Sequence, residues 1–457
     1  MDEYEILRFR AGELDVHCRR IEFVQRAVEE PRLIAGPGRI FQQPDGTIRV
    51  TAYLEAFDRV RQADPPVGTG VPPDRYWDLT SEEQGGRRRW RSERVHLDVD
   101  DFHVPSWRPI DVPLQSVRRE EEITRAADGA HFAGYIFRSL PIDANARTDR
   151  TITRPDGRSE SGRWNILRFP IGEIQVDIRQ EDDPEYSVID VASPGPLPPR
   201  FEQRLLETVR FVFGRPVSWS ATVHTAESRV VTTLRGRPVH DLAPHFGQPI
   251  PHNVMGARDW MSELLRCYYL HVSRSSDGRW HPLSIWWSEV LRAGSREMES
   301  LVLVAAIAVE GVCKAIINAG EMPAGIEAIS GEISEEWRGR VARELERLNC
   351  PERIRNRIDG LFPRMSQIGA GDELHALRRV GAVDRGLVQL WRDVRNDVAH
   401  GAGGRWDSAS RITGDADGLV TLLRQLTFWW IGYRGWYQSL DPDGWRMRQY
   451  PAPEGGR

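Results

Sequence analysis

The sequence predicts an α+β protein with two domains: a β-rich, antiparallel, sandwich-like N-terminal domain and an all-α C-terminal domain. The first half alternates apolar and polar residues, as half-buried strands do. A connector rich in Pro, His and Gly at 236–256 follows, and beyond it the apolar period becomes helical. The chain of 457 residues suits two or three domains of roughly 100–200 residues. We therefore expect domains at 1–240 and 256–457.

Strands in the first half are indicated by period-2 or β-branched segments bounded by turn residues. The clearest unit is a β-hairpin, in which a Pro44-Asp45-Gly46 turn joins the segments 39–43 and 47–53. Further strands are predicted at 94–100, 132–139, 164–169, 173–179, 186–191, 217–225 and 229–234.

One helix interrupts this series, at Phe201–Phe213. Its apolar residues fall on one stripe, and Gly214 and Pro216 then end it, as a C-terminal Gly followed by Pro commonly does. Many strands and one helix favour an antiparallel sheet or sandwich.

The second half has helical periodicity throughout. The segment Ser284–Asn318 is long or divided at Gly294, and Ser334 offers a cap for the helix that follows it. Helices are predicted at 259–272, 284–318, 334–348, 351–361, 383–399 and 416–437.

Composition excludes several classes of protein. The net charge of −5 argues against a nonspecific nucleic-acid coat, so any contact with nucleic acid must be local. The most apolar segment, Leu301–Ile317, is interrupted by Glu310 and Lys314, so we expect no membrane span. The acidic N-terminus has no apolar signal core, and the four cysteines form no CxxC motif. A cytoplasmic location is therefore expected.

The most informative segment is Arg395-Asn396-Asp397-Val398-Ala399-His400, which Gly401 follows. Arg is a permanent cation that can hold a phosphate by two parallel hydrogen bonds. His exchanges protons near pH 7. A metal-free ribonuclease needs these two groups, and Asn396 can add a bond to a phosphate oxygen.

The motif lies at the end of a helix that Asp384 can cap. Five apolar residues, Leu387, Leu390, Trp391, Val394 and Val398, share one face of it, which is either core or a dimer seam. On a regular helix Arg395 and His400 lie about 140° apart, so we expect the last turn to open at Gly401. A structural alternative stays open, because helices often end in a basic residue and Gly.

The segment Trp391–Gly401 resembles the last signature helix of HEPN-domain proteins, whose motif is an Arg, four to six residues with a polar one first, and then His. Arg395, Asn396 and His400 match these positions. The helix with Ala308-Val309-Glu310 in an apolar run is similar to an earlier HEPN helix that bears an acidic residue. The resemblance implies that Glu310 orients Arg395. A β-rich half before a HEPN domain resembles the architecture of ApeA-like abortive-infection proteins of bacteria.

This resemblance implies a metal-independent endoribonuclease without cofactors, which dimerises through its HEPN helices. A 2′-hydroxyl would attack the adjacent phosphate, His400 would transfer protons, and Arg395 would stabilise the phosphoryl charge. DNA lacks that nucleophile and should survive. The expected partners are RNA, a second copy of the chain and a phage-derived trigger. Some HEPN pairs are modified at a Tyr two residues past the His, where this chain has Ala402.

Two other functions stay open. One is a non-catalytic HEPN module that binds RNA or a protein partner in a defence complex. The other is a β-domain enzyme or carbohydrate-binding sandwich with a helical dimerisation tail. A sheet pocket lined by His96, Asp98 and Asp100 would favour the last alternative.

Other polar or aromatic clusters have simpler structural interpretations. One candidate metal site consists of His96, Asp98 and Asp100, with Asp101 and His103 beyond them, but the alternation favours a solvated strand face. His240, His245 and His252 are scattered through the connector. The segment Arg87–Arg91, with Trp90 among arginines, could bind RNA, but its charge pattern favours a solvated loop. The aromatic residues between Phe428 and Tyr437 indicate core or interface, and Cys313 indicates inert packing.

Overall fold

The structure is a computed structural model. For some positions inside its elements, 398–400 among them, it describes the backbone alone. The described residues are 3–26, 29, 31–53, 75–84, 89–97, 109–123, 129–136, 139–148, 152–153, 159–160, 163–180, 186–236, 246–275, 279–321, 331–360, 368–400, 408–440 and 445–451.

The N-terminal part is built almost wholly of strands after a short helix, α1 (Glu3–Arg10). The strands before the next helix are β1 (Asp15–Gln25), β2 (Leu33–Gln42), β3 (Ile48–Tyr53), β4 (Tyr76–Glu83), β5 (Arg89–His96), β6 (Pro109–Leu114), β7 (Ser116–Glu122), β8 (Ala130–Ile136), β9 (Ala146–Thr148), β10 (Ile152–Thr153), β11 (Ser159–Glu160), β12 (Arg163–Ile171), β13 (Ile174–Gln180) and β14 (Ser187–Ser193). After helix α2 (Phe201–Phe213) come β15 (Trp219–Ala226) and β16 (Arg229–Arg235).

Fourteen of these strands form one antiparallel sheet in the order β6-β3-β2-β1-β4-β5-β7-β16-β15-β8-β14-β13-β12-β9. Burial alternates along the strands, so one face of each packs into the core. Phe23, Trp77 and Trp90 are among the largest side chains in that core. The predicted hairpin is confirmed as β2 and β3, where the Asp45 carboxylate accepts a 2.8 Å hydrogen bond from Thr47 N.

Some strand predictions need correction. The strand expected at 94–100 lies earlier in the chain, as β5, and Arg94 within it has a left-handed φ of 55°. Seven of the described strands were not predicted, because their segments are short or alternate charged and apolar residues less regularly: β1, β4, β6, β7, β9, β10 and β11. Sheet pairing across the chain, rather than local pattern, determines these segments.

The chain divides into two compact units, residues 1–199 with 217–241, and residues 200–216 with 242–457. Helix α2 therefore belongs to the helical unit, although the predicted boundary at 240 assigns it to the β-rich one. Its aromatic residues explain this: Phe211 stacks on Tyr268 and packs against Trp287, both from the second half of the chain. The α+β class is confirmed.

The helical unit contains α3 (Ala257–Val272), α4 (Pro282–Gly294), α5 (Met298–Ala319), α6 (Gly331–Arg347), α7 (Glu352–Asp359), α8 (Ala370–Arg379), α9 (Arg385–His400) and α10 (Ala409–Ile431). The predicted division of the 284–318 segment near Gly294 is confirmed, since α4 ends there. Gly311 has no side chain, which lets the Trp286 ring of α4 lie directly against α5. This close approach fixes the helix that carries Glu310.

Two differences from the predicted helices matter for function. Helix α8 was not predicted. The chain also does not stay helical to Tyr437, because Gly432, at φ 73°, ends α10 and a hairpin of β17 (Gly435–Ser439) and β18 (Arg446–Tyr450) follows. The aromatic residues of this region thus have helical spacing only up to the end of α10.

Helix α5 bears on the expectation that the chain has no membrane span. Its 22 residues include a window with a mean hydropathy of 2.2, long and apolar enough to cross a membrane by length and composition alone. Glu310 and Lys314 do not lower the hydropathy of this helix enough to exclude a membrane span by composition. However, 56% of the window is buried inside the structure, and the core helix of a soluble protein passes the same test.

Candidate functional site

Helix α9 is held in the bundle by its apolar side, as its sequence predicts. Trp391 and Val394 are buried, and the Trp391 indole donates a 3.0 Å hydrogen bond from Nε1 to the Ala306 carbonyl of α5. On another side, Leu390 packs where Gly418 of α10 has no side chain. These contacts fix the rotation of α9 and so determine which residues face α5.

Arg395 and Glu310 are brought together by that packing. Arg395 Nε donates a 3.0 Å hydrogen bond to Glu310 Oε2, across 85 positions of sequence. The Arg395 guanidinium also lies 5.7 Å from the Trp391 ring centroid, within cation–π range. Its side chain remains 54% exposed. The contact that the HEPN resemblance implies is therefore present, and it leaves the arginine accessible to an anion.

Lys314 is a third member of this cluster, which the sequence analysis did not single out. Its Nζ lies 2.8 Å from Glu310 Oε1, so the two oxygens of Glu310 hold two different cations. The hydrogen bond from Lys314 is the largest cause that lowers the pKa of the Glu310 carboxyl, and the charge of Arg395 adds to it. Glu310 therefore stays ionised. The spacing of four residues from Glu310 was a signal for Lys314.

A neighbouring cation, Arg392, faces the other adjoining helix. Its Nη2 lies 2.7 Å from Nε2 of His375 on α8. Partial burial, followed by the Arg392 charge, lowers the pKa of His375, which favours the neutral ring as hydrogen-bond acceptor. This pair could not be predicted, because α8 itself was not predicted. The exposed side of α9 thus carries two arginines, each held by a different neighbouring helix.

Asn396 and His400 complete the motif along the chain. Asn396 is exposed, and His400 is the last residue of α9, with its side chain outside the described residues. The backbone stays helical through His400, and Gly401, where the last turn is expected to open, lies outside the described residues. Val398, predicted on the apolar face, also has its side chain outside the described set. Regular geometry sets positions 395 and 400 about 140° apart around the axis.

Chemically, the described cluster is suited to holding an anion. Two fixed cations share one carboxylate, which leaves a net positive charge beside an exposed guanidinium. Arg binds phosphate and carboxylate groups through its paired donors, so a phosphodiester is one anion that this cluster suits. His400, the last residue of α9, is of the residue type that exchanges protons near pH 7.

The alternative sites gain little from the structure. Among the described residues no group of three metal-ligating side chains was found. His96 ends β5, where its ring lies edge-on to Tyr76, whereas Asp98, Asp100, Asp101 and His103 fall outside the described residues. His252 is exposed, and His240 and His245 also lie outside that set.

The cation–aromatic segment at 87–91 does not offer a base-stacking surface at its tryptophan. Trp90 is buried beneath the guanidinium of Arg119, 4.9 Å from the ring centroid, while Arg87 and Arg88 fall outside the described residues. Phe428, Trp430, Tyr433 and Tyr437 are buried, as the core interpretation predicts. Burial also raises the pKa of the Cys313 thiol, which fits inert packing.

Comparison of the chain with models of protein families, with curated proteins and with solved structures gave no match.

Proposed function

We propose that this protein is a metal-independent endoribonuclease of the HEPN type, acting in bacterial antiphage defence. The observation that carries the proposal is the bond from Arg395 to Glu310 on the last turns of a helix that ends at His400. Arg395 would stabilise charge on the phosphoryl oxygens, with Asn396 as a further donor. His400 would exchange protons with the 2′-hydroxyl or the leaving 5′-oxygen. The products would be a 2′,3′-cyclic phosphate and a 5′-hydroxyl.

A homodimer through the helical unit is part of this proposal. Positions 395 and 400 lie about 140° apart on one regular helix, so a second copy would help to surround a single phosphate. Leu303 and Ile307 support such a contact, because they are 38% and 48% exposed. Their spacing continues through Glu310 and Lys314 on the same stripe of α5. An apolar seam beside the charged cluster would thus join two copies at the site.

The test uses the full-length protein with a panel of RNAs in the presence of EDTA. The wild type should shorten RNA, leave DNA intact and yield ends with 2′,3′-cyclic phosphate. Arg395→Ala and His400→Ala should each lower the rate at least about 100-fold, as loss of a group acting in the transition state does. Arg411→Ala, an exposed arginine at the start of α10, is the matched control. Cleavage by both variants at the wild-type rate would overturn the proposal.

A second candidate is a HEPN module that binds RNA or a protein partner without cutting. The regular backbone of α9 through His400 favours it, since one copy then directs the two motif positions to different sides. The same panel separates the two functions, because a binder retains RNA without shortening it.

The remaining assignments follow from the same proposal. The β-rich unit would sense a phage-derived trigger or restrain the nuclease. The protein would work in the cytoplasm without a membrane partner, a setting supported by four cysteines that are all free.

A further inference from the structure

A second polar groove lies at the opposite end of α9 from the Arg–His motif. It has a volume of about 880 Å³ and is bordered by the turn between α8 and α9 and by the β17–β18 hairpin. Gly381, in that turn, has a φ of 74°, which lets the chain reverse between the two helices. The groove is within the size range of small-molecule sites, about 300–1,000 Å³. Arg385 and Arg395 are ten residues apart, about 15 Å along the helix axis.

The groove is strongly cationic. Four arginines line it, Arg378, Arg379, Arg385 and Arg448, against a single carboxylate, Asp384. Four positive charges minus one negative charge leave an excess of three. Arg448 Nη1 lies 3.3 Å from Asp384 Oδ2, and both side chains are nearly half exposed. Because a protein with a net charge of −5 concentrates cations here, the groove would attract an anion.

The wall is also aromatic and already ordered. Trp436 is 38% exposed, and its ring packs on Trp260 at 5.8 Å between centroids. Gln425 fixes the base of the groove, since it accepts a 3.0 Å bond from Asp384 N and donates a 2.9 Å bond to Tyr437 Oη. A planar ring entering the groove would therefore meet an aromatic surface without rearrangement of the hairpin.

Tyr450 supplies the observation that points to a ligand. Its side chain lines the groove, is 95% buried, and its hydroxyl has no hydrogen-bond partner among the described residues. Burial raises the pKa of this hydroxyl, so it stays a proton donor. A buried hydroxyl without a partner is unfavourable, and such groups in native structures call for an explanation. A bound acceptor would satisfy it.

We propose that this groove binds a nucleoside phosphate. The arginines would hold the phosphate through paired N–H donors, and the aromatic wall would take the base. The Tyr450 hydroxyl would donate to a ligand oxygen or ring nitrogen. A small nucleotide is favoured over an RNA strand because cation and aromatic groups converge on one groove rather than follow a track. The site is separate from Arg395 and does not depend on the ribonuclease proposal.

The test is direct binding to the full-length protein by isothermal titration calorimetry. The probes are the four nucleoside 5′-monophosphates, adenosine, inorganic phosphate and a single-stranded RNA oligonucleotide. At least one monophosphate should bind with Kd below about 1 mM, and adenosine and phosphate should each bind at least about 10-fold more weakly. If no monophosphate binds, or if the RNA binds tighter and displaces the monophosphate, the proposal fails.

Two variants assign the binding to the groove. The double variant Arg385→Ala/Arg448→Ala should weaken binding of the monophosphate at least about 10-fold. Arg340→Ala, an exposed arginine on α6, is the matched control and should bind as the wild type does. Tyr450→Phe should weaken binding several-fold while the protein stays at least as stable as the wild type. Unchanged affinity in the double variant would overturn the proposal, and unchanged affinity in Tyr450→Phe would overturn the role of the hydroxyl.

Discussion

Two carboxylates in the helical unit have opposite surroundings. Glu310, on α5, is 25% exposed and holds Lys314 and Arg395 on its two oxygens, and these cations lower its pKa. Glu373, on α8, is completely buried, and neither oxygen has a hydrogen-bond partner among the described residues. Burial raises the pKa of Glu373 to about 8.

The difference shows how this bundle manages charge. A carboxylate at the edge stays ionised because two cations replace part of its hydration. A carboxylate in the core stays ionised only at a large free-energy cost, so it takes up a proton instead. The first arrangement provides a fixed charge for a site, whereas the second makes stability depend on pH.

The largest expected effect is the pH dependence of stability caused by the buried carboxylate, Glu373. The folded pKa of Glu373 is about 8, against an ordinary 4.5, so the folded state retains its proton where the unfolded chain has lost it. Between these values the contribution of Glu373 to the unfolding free energy should fall by about 1.4 kcal/mol per pH unit, roughly 5 kcal/mol in total. Below pH 4.5 this stability should be fully present.

Glu373→Gln should remove most of that slope, because the amide does not titrate. Urea unfolding from pH 5 to 9 measures it, and Glu352→Gln, an exposed glutamate on α7, is the control. If the wild type and Glu373→Gln have parallel pH profiles, Glu373 is not the group that couples protonation to folding.

A third carboxylate, Glu207, is buried but has a cation partner, so its stability contribution should depend on that partner. Glu207 is buried like Glu373, but its Oε1 lies 2.9 Å from Arg204 Nη1 and its Oε2 accepts a 2.7 Å bond from Ser284. Arg204→Met removes the cation and should cost about 4 kcal/mol in unfolding free energy at pH 7. The double variant Arg204→Met/Glu207→Leu should recover part of that loss, since it removes the carboxylate that Arg204→Met leaves without this cation. A double variant as unstable as the single one would contradict this account.

The partly exposed cluster of Glu310 and Arg395 could be predicted from the sequence, whereas the buried Glu373 could not. Glu310 stands out because it is acidic within an apolar run, and Arg395 because it begins a motif near a helix end. Glu373 has no such signal, because its burial depends on α8 packing against α5, and α8, with ten residues, was not predicted. The left-handed residue Gly432 ends α10 before the aromatic run does, which periodicity alone could not show.

The acid side of the stability profile should depend on His271. This residue is buried on α3, edge-on to His281 and Trp430, and neither ring nitrogen has a hydrogen-bond partner among the described residues. Burial lowers the pKa of His271 from 6.5 to about 4. The unfolded state therefore binds the proton first, and the contribution of His271 to stability should fall as pH decreases through this window, by about 3 kcal/mol in total. Between pH 4.5 and 6.5 this slope opposes that of Glu373.

In the Glu373→Gln background, which lacks the opposing slope, His271→Asn should flatten the profile between pH 4 and 6.5, in the same urea measurement extended to pH 4. His252→Asn, at an exposed position of the same unit, should leave the slope unchanged. If the slope of Glu373→Gln in this window persists in the double variant Glu373→Gln/His271→Asn, another group causes the acid sensitivity.

The smallest effect on stability is expected from substitutions of the partly exposed carboxylate, Glu310. Their effect on activity should depend on the contact between Glu310 and Arg395. Glu310→Gln removes a partly exposed charge and should cost less than about 1 kcal/mol of unfolding free energy. If the proposed ribonuclease is correct, it should lower kcat about 10-fold with little change in KM, because Arg395 loses its orientation while RNA binding elsewhere persists. Glu310→Asp should recover part of the rate.

Lys314→Ala is the matched comparison, because it removes the other cation of Glu310 and leaves the Arg395 contact in place. It should cost roughly 0.3–0.5 kcal/mol, as exposed pairs four residues apart on a helix do, and should leave kcat near the wild-type value. Equal losses of kcat in Glu310→Gln and Lys314→Ala would mean that the intact cluster matters rather than the Arg395 bond alone, since the two changes shift its net charge in opposite directions. A loss confined to Glu310→Gln would assign to Glu310 the positioning of Arg395, since only that variant alters the bond to the guanidinium.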